Sequence, residues 1–138
     1  MVATIIISTL LWLIHTVLNA YVQAFYYALY PSEKKHPNLH PMYVALRTIL
    51  LGVILWNLWY DLGWVLTGIY GLCLCCIYSF FHNGTYYETR NYIERGVYPK
   101  GFWDSSTTSQ ATIELGVGMR TALAIIGFVG IYLVTKSI

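Results

Sequence analysis

The sequence predicts an all-α, polytopic integral membrane protein: four transmembrane helices in an antiparallel bundle with a short interfacial helix, forming one domain over residues 1–138. Three observations predict it. The chain is 57% hydrophobic and 10% charged over 138 residues, with a mean hydropathy of +0.56, against roughly 25% charged residues in a soluble domain. Its apolar residues fall into blocks of about twenty, the length that crosses a bilayer as a helix. One long polar stretch, FFHNGTYYETRNYIERGVYPKGFWDSSTTSQ at 80–110, divides the third block from the fourth.

The blocks run in order. The first covers 2–29, broken only by His15, Asn19 and Gln23, and PSEKKHPNLHP at 31–41 ends it with prolines and charge. The second covers 42–60; Asp61, Leu62 and Gly63 make a very short turn into the third, 64–81. The fourth starts between Ala111 and Gly116, about 113, and ends at Thr135. Lipid offers no partner to an unpaired backbone group, so each block is expected as a helix, and the ten-residue alternation of a β-barrel is missing. So short a turn makes helices two and three an antiparallel hairpin.

Between spans three and four the segment 84–108 reads as interfacial. Asn83-Gly84 is a turn signal that ends helix three. TYYETRNYIERG then repeats apolar and aromatic residues at three and four positions, a short amphipathic helix closed by Gly96. Arg90 and Glu94 are spaced as an i, i+4 pair. Pro99 and Gly101 turn the chain, Phe102 and Trp103 suit a return into the headgroups, and Asp104 with the following Ser and Thr residues offers caps for helix four.

The N-terminus lacks the Lys or Arg of a signal peptide and is expected to stay as the first span. Lys34, Lys35, Arg90, Arg95 and Lys100 lie in the two large loops and only Lys136 at the other face, so both termini are expected outside with loops 31–41 and 82–110 cytoplasmic. Trp56, Trp59, Tyr60 and Trp64 beside the short turn, and Tyr26, Tyr27, Tyr30, Tyr43, Tyr86 and Tyr87 beside the large loops, read as interfacial belts.

Polar groups within spans are costly and often functional. Arg47 and Glu114 each lie about 5 to 8 Å below the loop face at the helical rise, and either pair or snorkel. Arg120 reads as a snorkelling residue if helix four starts at Gly116. If the helix starts at Ala111 it is buried, with Glu114, His15, Asn19 or Asn57 as partners. His15 and Asn19 share a helix face and suit hydrogen bonds across helices. His36, His40 and His82 meet near loop one, but Pro37 breaks the helical i, i+4 geometry of a zinc site, and no metal is expected. Cys73, Cys75 and Cys76 share one apolar run and read as packing residues. No nucleotide, hydrolase or zinc motif appears, so no cofactor is called for. A net charge of +2 speaks against nucleic acid as a partner.

FHNGTYYETRNYIERGVYPKGFWDSSTTSQA, followed by an Arg and a Gly-containing apolar helix, resembles small, uncharacterised multi-spanning proteins of phages and prophages of Bacteroidetes-type bacteria. The resemblance covers 81–127. It implies a viral or bacterial origin, with a bacterial inner membrane or a virion membrane as location, and carries no activity or catalytic residue.

Three functions fit. The first is a non-enzymatic membrane protein presenting a basic and aromatic loop, with Arg47, Tyr86, Tyr87, Arg90, Arg95, Lys100 and Trp103 as binding residues, to the bilayer's anionic headgroups or to a membrane or virion protein. The second is a homo-oligomeric channel or holin-like permeabiliser lined by His15, Asn19, Glu114 and Arg120. The third is an enzyme on a lipid-like substrate, with His82, Arg90, Asp104, Glu114 and Arg120 as candidate catalytic residues.

Overall fold

The computed structural model describes residues 1–29, 39–95, 98–104 and 115–138. They form three α-helices: α1 (Val2–Leu29), α2 (His40–Ile93) and α3 (Val117–Lys136). All three are long and apolar enough to cross a membrane, and the lipid-like surface this requires is present, with Ile6, Ile7, Leu10, Leu11, Ile14 and Leu18 exposed along α1 alone. Polar side chains inside the helices turn back on their own backbone: Thr9 donates to the Ile5 carbonyl at 2.8 Å, Thr48 to Val44 at 2.9 Å and Thr121 to Val117 at 2.9 Å. Such bonds hide a hydroxyl that lipid cannot solvate.

The helix count is three where four were expected. Residues 40–62 and 64–93 form one continuous element in which Gly63 alone leaves helical geometry, at φ 69° and ψ 169°. Glycine adopts this positive φ without steric cost, so a single residue reverses the chain and no loop is needed. The two arms of α2 lie side by side. Arg47 donates to the Tyr78 hydroxyl, and the Leu55 side chain lies 3.1 Å from where a Cβ on Gly71 would sit.

The second departure lies at Asn83-Gly84. No turn interrupts the helix there; the second arm continues to Ile93, so the expected separate interfacial helix is the outer end of α2. At about 1.5 Å per residue that arm is about 45 Å long, longer than the roughly 30 Å hydrocarbon layer. The expected terminator Gly96 lies outside the described residues.

The second arm is the central rod. Thr9 meets the Tyr70 hydroxyl at 2.9 Å and Trp12 Nε1 donates to the Leu74 carbonyl at 2.9 Å, so α1 runs parallel to this arm. Backbone approach brings α3 onto its other side: a Cβ on Gly127 would meet the Cys73 carbonyl at 2.7 Å and Ile77 Cγ2 at 2.6 Å. Small residues that let helices close in are the usual device of membrane packing. Arg120 meets Phe80, so α3 runs antiparallel to the arm. Both termini therefore lie at the Gly63 end, and His40, Ile93 and Val117 at the other. Ile5, Trp12, Ile54, Leu58, Tyr70, Leu74, Ile77 and Ile131 form the core between the rods.

Candidate functional site

Residues 98–104 fold back along the outer end of α2 as a strap. Their turn is closed locally, the Asp104 carboxylate accepting the Gly101 N–H at 2.6 Å. Glu88 accepts the Phe102 N–H at 3.2 Å, and the Asn91 amide donates to the Tyr98 carbonyl at 3.1 Å. Phe102 packs where Gly84 has no side chain; a Cβ there would lie 2.5 Å from Phe102 Cε2. Its ring sits edge-on to Phe80 at 5.3 Å and to Trp103 at 5.0 Å. Gly84 thus serves close packing, which is why the turn signal at this position misled.

Arg120 anchors the strap from α3. It is 0% exposed, with Nη1 donating to the Asp104 carbonyl at 2.7 Å and Nη2 to the carbonyls of Phe102 at 3.2 Å and Phe80 at 3.4 Å. The snorkelling reading is therefore overturned, and none of His15, Asn19 and Asn57 is its partner; Glu114, the other partner foreseen for a buried Arg120, lies outside the described residues. Backbone carbonyls of the returning strap take up the donors, and Nε has no partner among the described residues. The α3 helix begins at Val117 behind Gly116 with no side-chain cap, and the Asp104 side chain closes its own turn and does not cap α3.

The basic and aromatic residues of the same end are largely engaged with each other. Arg90 pairs with Glu94 through Nε at 2.7 Å, as their spacing predicts, and donates to the Tyr86 hydroxyl at 3.2 Å. Its guanidinium also lies 4.7 Å from the Tyr98 ring centroid. Tyr98 stacks on buried Tyr87 at 6.2 Å, and the Lys100 ammonium lies 5.6 Å from the Tyr87 ring. Burial pushes the Tyr98 phenol up to about 12, Tyr86 adding to the rise and Arg90 opposing it. Arg95 is exposed at φ 52°, Tyr92 is 84% exposed and Trp103 67% exposed.

A second polar cluster lies inside the bundle. Tyr78 stacks on His82 at 4.8 Å, lies 6.1 Å from Trp12 and has the Arg47 guanidinium 4.6 Å from its centroid. Trp12 in turn lies 6.4 Å from His15. His82 Nδ1 meets Asn83 Oδ1 at 3.1 Å, while the Nε2 atoms of His82 and His15 are buried with no partner among the described residues. Asn19 accepts from Gln23 on its own helix, so the expected cross-helix bonds of His15 and Asn19 are made instead by Thr9, Trp12 and Tyr70. Sequence reasoning treated the aromatics as belts and missed Trp12, Tyr70 and Tyr78. For Trp12 and Tyr70, a place deep within an apolar run was the available signal.

Among the described residues the candidate catalytic residues do not converge. Arg120 meets the Asp104 backbone. The Asp104 carboxylate points to Gly101, Arg90 to Glu94, and His82 to the Tyr78 cluster. Glu114 and His36 lie outside the described residues, and so does the expected pair of Arg47 with Glu114. Among the described residues no group of three His, Cys, Asp or Glu gathers to hold a metal. No family model, curated protein or solved structure matches this chain.

Proposed function

We propose that this chain is a small, non-enzymatic integral membrane protein. In this reading it crosses the bilayer four times, each arm of α2 making its own passage, and presents the strapped end to anionic lipid headgroups. The observation that carries the reading is the strapped end: Tyr92, Arg95 and Trp103 stay exposed at one end of the bundle, while Arg90, Asp104 and Arg120 are held by structural partners. Exposed aromatics with cations suit the headgroup layer, each basic residue contributing about 1 kcal/mol near an anionic surface. Exposed Trp56, Trp59, Tyr60 and Trp64 at the Gly63 end support a second interfacial belt. The excess of Lys and Arg in the large loops supports a cytoplasmic strap with both termini outside. A phage or bacterial origin is proposed on the resemblance over 81–127.

The test is lipid selectivity in reconstituted vesicles. Spin-labelled phosphatidylglycerol should be enriched over spin-labelled phosphatidylcholine at the protein surface, and replacing Arg95 and Lys100 together by Gln should cut the enrichment by up to about thirtyfold. Equal enrichment of both lipids by the native chain would refute the reading, as would an unchanged preference in the double variant. Conductance or lysis on expression would favour a permeabiliser instead.

A further inference from the structure

About 10 Å inward from His40 at the helical rise of α2, a groove of about 300 Å³ opens between α1 and the two arms. Trp12, Leu51 and Cys75 give it an apolar lining, and Arg47, Thr48 and Tyr78 a polar one. Thr48 and Cys75 are exposed, so the groove opens sideways, onto the surface that lipid would cover.

Arg47 is the cation of this groove. It donates through Nε to the Tyr43 carbonyl at 3.3 Å and through Nη1 to the Tyr78 hydroxyl, and no carboxylate pairs with it among the described residues. A guanidinium carries five N–H donors, so the two bonds leave donors for a further acceptor. The Tyr78 hydroxyl accepts from Arg47 and so keeps its own proton to donate. Thr48 donates to the Val44 carbonyl and retains acceptor capacity. A positive charge held among apolar side chains at this depth favours an anionic partner, and guanidinium with phosphate is a strong, forked pairing.

Cationic donors beside an apolar wall, open toward the bilayer, complement an anionic amphiphile. We propose that the groove holds one anionic phospholipid of the surrounding bilayer, its phosphate on Arg47 and Tyr78 and an acyl chain against Trp12, Leu51 and Cys75. This rests on the chain being a membrane protein with each arm of α2 crossing. It goes beyond the strapped end, which meets headgroups at the surface, by assigning one lateral site among the helices. A volume at the lower limit of ligand sites suits a headgroup phosphate and the first part of one chain.

The test is native mass spectrometry of the full chain released from nanodiscs containing equal amounts of phosphatidylglycerol and phosphatidylcholine. The native protein should retain one phosphatidylglycerol, and Arg47→Gln should reduce that retention by about tenfold or more, the loss of one charge-assisted contact. Tyr78→Phe should give a smaller loss in the same direction. Cys75→Trp keeps Arg47 but fills the groove, and should also release the lipid. Replacing Arg95 and Lys100 by Gln should leave it in place. Retention of phosphatidylcholine as readily as phosphatidylglycerol overturns the proposal, as does native-level retention in Arg47→Gln or Cys75→Trp. Should Arg47→Gln fail to fold, the other two variants decide by the same criterion. Alkaline extraction separates the two readings: a chain removed from vesicles by it is not integral. A chain that stays, with undiminished lipid in the groove variants, refutes the groove alone.

Discussion

Replacing Arg120 by Met should release the strap while leaving the helices in place. The native guanidinium makes two well-formed bonds to the strap, to the carbonyls of Asp104 at 2.7 Å and Phe102 at 3.2 Å, and a longer one to Phe80 at 3.4 Å. A hydrogen bond to a charged group contributes about 1.5–3 kcal/mol, so the two short bonds amount to about 3–6 kcal/mol. Against this, Met removes the desolvation of a buried donor, Nε, that has no partner among the described residues, about 1–3 kcal/mol. Taking the low and high ends together, the net loss is about 2–3 kcal/mol, which raises the open population of the strap by roughly 30- to 150-fold. Trypsin cleavage after Lys100 reads this directly, because cleavage follows the open population when closing outpaces cutting. The rate should rise by that factor while helical circular dichroism stays constant, with Arg120→Lys between the two because an ammonium cannot reproduce the fork. Phe102→Ala should also speed cleavage, and the double variant should fall short of additivity because both residues hold the same segment. A cleavage rate within about twofold of native in Arg120→Met, with secondary structure intact, would refute the anchoring role.

Three further outcomes follow from the packing and the strap. Gly127→Ala should lower stability by about 1–3 kcal/mol, because the new Cβ meets the Cys73 carbonyl at 2.7 Å and backbone cannot swing aside; Gly130→Ala, which faces the rotatable Cys73 thiol, should lower it less, and thermal unfolding in bicelles ranks the two. Trp12→Phe removes the bond to the Leu74 carbonyl and should lower stability by about 0.6–1.7 kcal/mol, the range of such bonds in membranes, measured by steric trapping. Tyr98 has a folded-state pKa raised to about 12, above about 10 in an unfolded chain. Its contribution is whole below pH about 10 and lost as pH rises toward about 12, so protection of Lys100 from a protease active at high pH should decline over that window in the native chain and not in Tyr98→Phe.

Hydropathy made α1 legible as a long apolar helix from Val2, because a span is set by the length of an apolar run. The reversal at Gly63 was legible too, in its position if not in its economy: one glycine does what was expected of three residues. Asn83-Gly84 and Arg120 were not legible, for one shared reason. Each is explained by a contact distant in sequence, Gly84 by the ring of Phe102 and Arg120 by strap carbonyls. Local rules score a glycine as a turn and a terminal arginine as a snorkel, and neither rule knows that another segment returns to that place. The interior cluster was hidden likewise, since the tyrosine code is the same for a belt residue and for Tyr78, which carries Arg47 and His82 on one ring.

That the second arm of α2 is the rod on which α1 and α3 both pack has a consequence for biosynthesis. A ribosome delivers α1 and the first arm before the rod they share, so both emerge with their buried faces still unpartnered. Thr9 and Trp12 then wait for Tyr70 and Leu74, keeping meanwhile only what their own helix can offer. The hairpin at Gly63 limits the wait, since no polar loop has to cross or be held between the arms. Last to arrive, α3 meets a completed face, and its Arg120 can close on carbonyls only once the strap has been made. Truncation before Val117 would therefore leave the strap with its bonds to Glu88 and Asn91 and its packing on Gly84, and the first three rods with every partner they have among themselves.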